Sequence, residues 1–240
     1  MTRVFVDTPL AAGASVELTG DAGNHVTRVL RLREEDALTL FDGRGGEYAA
    51  RIAQIRRGGV RVEVGEHSAV ERESPLELTL LQSIARGERM DLIVQKATEL
   101  GVTRLVALET ERSVVRLDAK QAERKAAHWR AVAIAACEQC GRNRVPAVEA
   151  PVDYAAALRR DAVLKLLLDP TAKQPISRAG ADVRSIALLI GPEGGFTDME
   201  SELARRADFE PRHMGPRVLR TETAAITALA ALQATAGDLR

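Results

Sequence analysis

Aromatic residues are scarce in this 240-residue chain, which has four Phe, two Tyr and one Trp. So few rings exclude a protein that binds single strands by stacking base after base on aromatic platforms. No apolar run approaches the ~20 residues that a membrane-spanning helix requires. The N-terminus, Met1-Thr2-Arg3-Val4-Phe5-Val6-Asp7, lacks the long apolar stretch of a signal peptide. These absences predict a cytoplasmic protein without a membrane partner. A dominant charge is missing too, because 34 basic and 34 acidic residues cancel. Any polyanion must therefore be met by a local patch rather than by a whole-molecule field.

Cysteine is nearly absent: Cys137 and Cys140 are the two present. Their C-x-x-C spacing suits zinc or redox chemistry only with further support. No second C-x-x-C or close His pair completes a zinc site, so no metal is expected. The pair also falls at the end of an Ala-rich helical stretch, not at a helix start after a strand, and reads as packing. Signature loops are missing as well. Without G-x-x-x-x-G-K-[ST] there is no phosphate-cradling NTPase loop, and without G-x-G-x-x-G no ordinary dinucleotide site. Nor is there a G-x-S-x-G nucleophile elbow.

What is present changes character near residue 72. Residues 1–72 read as short strands with tight turns: Thr2–Val6, Ala14–Leu18, Ala37–Phe41, Glu47–Ile55 and Val60–Val64. One helical piece, Asn24 to Leu32, interrupts them, and the pattern predicts a small β-barrel. On that piece Val26, Val29 and Leu30 are expected on one face, and His25, Arg28 and Arg31 on another. A solvated charged face has this spacing, and so does a guanidinium cluster that grips phosphates. Glu71-Arg72-Glu73-Ser74-Pro75 reads as a linker.

Residues 73–240 alternate strands and helices, which predicts a parallel sheet in an α/β domain. The strands are Leu76–Leu81, Arg104–Leu108, Val163–Leu168, Ser185–Ile190 and a short one near Arg212. The helices are Met90–Leu100 (stopped by Gly101), Asp118–Cys137 and Glu222–Ala236.

Two Gly-rich turns stand out: Gly191-Pro192-Glu193-Gly194-Gly195-Phe196 and Gly215-Pro216-Arg217-Val218-Leu219-Arg220. Each follows a strand and opens a helix. Thr197-Asp198-Met199-Glu200 fits a capping box, and Thr221 suits an N-cap with Glu222 in the first turn. Bare backbone at strand ends lets a ligand approach closely, where open α/β sheets bind theirs. Two Gly-Pro turns can also be purely structural; the charges on Arg220 and Glu222 weigh against that. The helix from Glu222 is apolar on most sides and must be buried, in the core or against a second subunit.

These stretches give the chain a resemblance to a known family. They are His25–Arg33, Gln95-Lys96-Ala97-Thr98-Glu99-Leu100-Gly101, Glu111-Arg112-Ser113 and Glu138-Gln139-Cys140-Gly141-Arg142, and most strongly Ile190–Phe196 and Gly215–Ala224. The chain resembles the ribosomal RNA small-subunit methyltransferase E family of knotted, SPOUT-class methyltransferases. Cys140, where Ser is common, and Met214, where Leu is frequent, are mild departures. The resemblance implies an N-terminal PUA-like β-barrel (1–72) and a C-terminal SPOUT α/β domain (73–240) with a parallel sheet and a deep trefoil knot over about 185–236.

It further implies methylation of N3 of a uridine in 16S RNA of the small ribosomal subunit, with S-adenosylmethionine as cofactor. The partners would be that RNA or the assembled subunit, and a second copy in a homodimer. The cofactor would lie against Leu189, Ile190, Gly191, Gly195, Met214, Gly215, Leu219, Thr221, Thr223 and Ala224. Arg220 would stabilise charge on the uracil, and Glu222 or Glu193 would orient the base or take its proton. His25, Arg28, Arg31 and Arg33 would hold RNA backbone. Two rivals stay open: the same fold acting on another RNA or a ribose 2′-hydroxyl, and a non-catalytic RNA-binding or ribosome-assembly protein.

Overall fold

The computed structural model describes residues 2–113, 116–178 and 182–239. Its contacts divide the chain into two units, Met1–Glu73 with Cys137–Val145, and Ser74–Ala136 with Pro146–Arg240.

The first unit is built on five strands: β1 (Arg3–Phe5), β2 (Ser15–Thr19), β3 (Ala37–Phe41), β4 (Glu47–Arg56) and β5 (Gly59–Ser68). Their order is β1-β3-β4-β5-β2. β1 runs parallel to β3, and the other neighbours are antiparallel. β5 shows why the sheet forms: Val60, Val62 and Val64 are buried, whereas Arg61 and Glu63 between them are exposed. That alternation places one face on a core with Leu18, Leu38, Leu40 and Ile52.

The helical piece differs from the sequence expectation. It begins as α1 (Gly20–Asn24) and continues as a π-helical turn over His25–Val29, closed by Leu30 N–H donating to His25 O at 2.9 Å. Bonds that span five residues do not align residues three apart. Val26 is buried as expected, but Val29 is 67% exposed and leaves the apolar face. Arg31, with φ of 54°, lies past the helix end, so His25, Arg28 and Arg31 do not form one helical face.

Residues 137–145 belong to this unit through specific bonds. Glu138 accepts the Phe5 N–H at 3.0 Å, and the buried Arg142 pairs with Glu73 at 2.6 Å. Asn143, fully buried, donates to Val70 O and accepts from Arg3. Burial raises the Glu138 carboxyl pKa, against the opposing pull of the Phe5 N–H, His25 and Arg3.

The second unit is a six-stranded parallel sheet. In chain order it comprises β6 (Glu77–Ser83), α2 (Glu88–Glu99), β7 (Arg104–Glu109), α3 (Ala119–Cys140), β8 (Ala147–Asp153), α4 (Tyr154–Leu158), β9 (Leu164–Leu168), β10 (Ser185–Ile190), α5 (Asp198–Arg206), β11 (Glu210–Arg212) and α6 (Thr221–Ala236). The last turn of α3 falls in the first unit. The sheet order is β11-β9-β10-β6-β7-β8. Central β10 is buried along nearly its whole length, as its apolar run Ile186–Ile190 requires, and β6 beside it is buried from Leu78 to Ser83. β8 and α4 were not anticipated. β8 is an edge strand, and its Pro151 falls at the register shift between Glu149 and Val152, both settings where a proline is tolerated. α2 stops at Gly101, whose φ of 78° favours glycine. α6 packs on α2, and Gln233 inside that contact donates to Leu100 O at 2.7 Å.

Candidate active site

The chain leaves β6 in one direction, through β7 to β8, and then returns to lay β9, β10 and β11 on the other side. Where strand order reverses in this way, the carboxyl ends of the strands border a crevice. β11, β9 and β10 are neighbours and parallel, so their ends open on one edge. Three segments leave that edge: residues 169–171, the first Gly-rich turn and the second. With the starts of α5 and α6 they enclose a cavity of about 790 Å³.

Much of its wall is apolar, from Ile190, Phe196, Met214, Leu219 and Ala224. The polar wall includes Asp169, Glu193, Arg205, Arg217, Arg220 and Thr221. The turns are anchored from outside. Arg112 donates to Gly194 O at 3.0 Å and to Phe196 O at 3.3 Å. The expected capping box is present, with Thr197 and Glu200 each accepting the other's backbone N–H. Glu200, buried, also accepts from Glu111 N–H, and its carbonyl takes the Tyr154 hydroxyl. Gly191 is closely approached: an added Cβ would sit 3.2 Å from the Phe196 ring, which would have to yield by a few tenths of an ångström. Gly215 is required by its φ of 96°, and its N–H donates to His213 Nδ1 at 2.9 Å.

Of the residues singled out in the sequence, Ile190, Gly191, Glu193, Gly195, Met214, Leu219, Arg220, Thr221 and Ala224 line this cavity together. Leu189, Gly215, Glu222 and Thr223 are not in its wall. Leu189 is fully buried in the core, and Thr223 is exposed on α6. Thr221 corrects its expected role as a cap: Arg220 is the N-cap, and Thr221 is the first helical residue. Its hydroxyl instead bonds Gly191 O at 2.7 Å, joining the two turns.

The two candidate carboxylates share one cation. Arg89 on α2 lies 2.9 Å from Glu193 and 3.9 Å from Glu222. Partial burial works to raise the Glu193 pKa. Hydrogen bonds from its own backbone, from Arg86 N–H and from Arg89 outweigh that and hold it below the ordinary carboxylate value. Glu222 keeps one buried carboxylate oxygen without a partner.

The sequence reading missed the third wall, from Leu167 to Thr171, and Arg205, which pairs with Asp169 at 3.6 Å. An apolar strand followed at once by Asp169-Pro170 was the available signal. In the first unit Arg28, Arg31 and Arg33 are exposed, His25 is half-buried, and no carboxylate among the described residues pairs with those three arginines. No group of three metal-ligating side chains occurs among the described residues. No helix there is long and apolar enough to cross a membrane.

Comparison with known proteins assigns both units. Residues 72–233 match the RNA methyltransferase domain family, and residues 18–65 match the RNA methyltransferase PUA domain. The ribosomal RNA small subunit methyltransferase E of Buchnera aphidicola is 31% identical, over 99% of this chain and 97% of that one. The chain belongs to the ribosomal RNA small subunit methyltransferase E family. The Bacillus subtilis member is also 31% identical, over 97% of this chain and 96% of its own length. Among solved structures, the family member from Neisseria gonorrhoeae, bound to S-adenosylmethionine, superposes with a TM-score of 0.92 at 36% identity, each chain fully covered. A Legionella pneumophila methyltransferase, also in complex with that cofactor, gives 0.96 at 42% identity over 99% of each chain. The fold is thus a PUA domain followed by a SPOUT-type α/β domain.

Proposed function

We infer that the chain transfers the methyl group of S-adenosylmethionine to small-subunit ribosomal RNA, and that the acceptor is N3 of a uridine. The observation that carries this reading is the cavity at the ends of β9, β10 and β11, walled by both Gly-rich turns, in a chain whose structural neighbours, a family member among them, have been solved with that cofactor. About 790 Å³ is the size expected for a nucleoside-sized ligand. Its apolar wall suits a purine face, and the backbone of the turns offers donors and acceptors to the ring edge.

S-adenosylmethionine brings an activated methyl on a sulfonium when bound, so neither a nucleophile nor a metal is asked of the protein. This chain must place the acceptor nitrogen in line and favour loss of its proton. Arg220 stands at the mouth of the helix, exposed and without a side-chain cap bond, where it can stabilise negative charge on the base. Glu222, with an unpartnered oxygen, is the better proton acceptor, and Glu193 serves to hold Arg89. Arg28, Arg31 and Arg33 supply phosphate contacts, with His25 beside them. The protein acts in the cytoplasm as a homodimer whose knot spans about 185–236.

The test is transfer of labelled methyl to small-subunit RNA or assembled subunits, followed by nucleoside analysis. 3-Methyluridine is expected. A ribose 2′-O-methyl product, or no transfer to either substrate, overturns the assignment.

A further inference from the structure

Gln82, next to last in β6 and followed by the buried Ser83, is itself fully buried. Its side-chain nitrogen lies 2.9 Å from Ser83 O and 3.0 Å from Thr221 Oγ1. Ser83 O can only accept, so the group facing it must be the NH₂ of the amide, which fixes the amide's orientation. The second N–H then goes to Thr221. A hydroxyl has one proton, and Thr221 accepts from Gln82, so it must donate to Gly191 O, 2.7 Å away. The direction of every bond in this chain is thereby settled. β6, the first Gly-rich turn and the start of α6 are joined through one hydroxyl, and both Gly191 and Thr221 line the cavity. Burial makes the arrangement stiff, because breaking either bond leaves a polar atom with no water to replace it.

We propose that Gln82 is a positioning residue for the cofactor cavity: acting through Thr221, it fixes the spacing of the two Gly-rich turns and so sets affinity for the nucleoside cofactor rather than the rate of the chemical step. This rests on the cofactor reading above. Gln82 is not in the cavity wall and touches no reacting atom. A residue that only packs the core would affect folding without any dependence on what its side chain donates.

The test uses the full chain and S-adenosylmethionine in calorimetric titrations, with Gln82→Leu, Gln82→Glu, Thr221→Val and the double variant Gln82→Leu/Thr221→Val. Loss of one buried hydrogen bond corresponds to about tenfold weaker binding. Gln82→Leu is expected to show that loss, with kcat at saturating cofactor within about twofold of wild type on the scale of that single bond. If Gln82 works through Thr221, the double variant is no weaker than Thr221→Val alone. Gln82→Glu supplies a signature that packing cannot give. When protonated the acid can still donate to Thr221; when ionised it can only accept, and the Thr221 proton turns away from Gly191. Burial raises the pKa of such an acid, so its cofactor affinity should fall as pH rises, over a range where wild type is level.

A wild-type affinity in Gln82→Leu, additive losses in the cycle, or a pH-independent Gln82→Glu each overturn the proposal. Absence of cofactor heat in wild type would instead overturn the cofactor reading. The Gln82–Thr221 coupling is then read from unfolding free energies of the same variants, where additivity overturns the relay.

Discussion

Arg89 shows how one cation divides labour between two acids. It donates to Glu193 at 2.9 Å and stands 3.9 Å from Glu222. Because the folded Glu193 pKa is depressed, its contribution to stability is present above the unfolded value of 4.5 and is lost as pH falls through the folded one. Glu193→Gln should therefore flatten the acid side of the unfolding profile below about pH 4.5, measured by denaturation across pH. Arg220→Ala should lower kcat by about a hundredfold, the scale of one lost electrostatic stabiliser, while cofactor affinity stays near wild type. Equal losses in both would deny it a role on the base. Cys137 carries the opposite sign of shift: burial pushes its thiol up from 9.0 to about 12. Its neutral form favours folding fully below pH 9.0, and that contribution declines toward pH 12. Alkylation near neutral pH should label Cys140 well before Cys137, as mass spectrometry would show. The pair lies at the end of α3, with Cys137 buried and Cys140 half-buried. Gln82 was not legible, because a Gln near the end of a strand announces nothing until its partner 139 residues away is known.

At the scale of elements, local signals were strong wherever the backbone alone decided the outcome. The Thr197–Glu200 capping box and the Gly101 stop form as their sequences require. Thr197→Ala should destabilise the protein by about 1 kcal/mol, the usual worth of such a cap, in chemical denaturation. Thr221 was misread as a cap because its type suits that role. Tertiary structure instead offered its hydroxyl two better partners, Gln82 and Gly191. The π-helical turn at His25–Val29 was invisible to a reading by ordinary helical period, and Val29 faces solvent as a result. β8 escaped notice because its alternation is broken by Pro151 and by partial exposure on an edge. Gly191→Ala should press a methyl against Phe196 at about 3.2 Å. Cofactor affinity should drop more than overall stability, which paired calorimetry and melting would resolve.

Over the whole molecule, the sequence conveyed two kinds of pattern, short alternating strands and then strands alternating with helices, and both architectures follow from them. It did not convey that residues 137–145 belong with the first unit, because that depends on bonds from Glu138, Arg142 and Asn143 to residues more than sixty positions away. Net charge is zero, so in the proposed function RNA is met by a local patch, for which Arg28, Arg31 and Arg33, with no carboxylate partner among the described residues, are the candidates. Replacing Arg28, Arg31 and Arg33 by Ala should weaken RNA binding and reduce the salt slope by roughly one unit for each phosphate no longer neutralised. An unchanged slope would remove them from the interface. The central claim is that the cavity beyond β9, β10 and β11 holds S-adenosylmethionine, and a crystal structure of the protein grown with that cofactor tests it most directly. Density for the nucleoside between Ile190–Gly191 and Met214–Thr221 is the result predicted. A cofactor bound elsewhere on the chain, or a cavity without it at saturating concentration, would contradict the account.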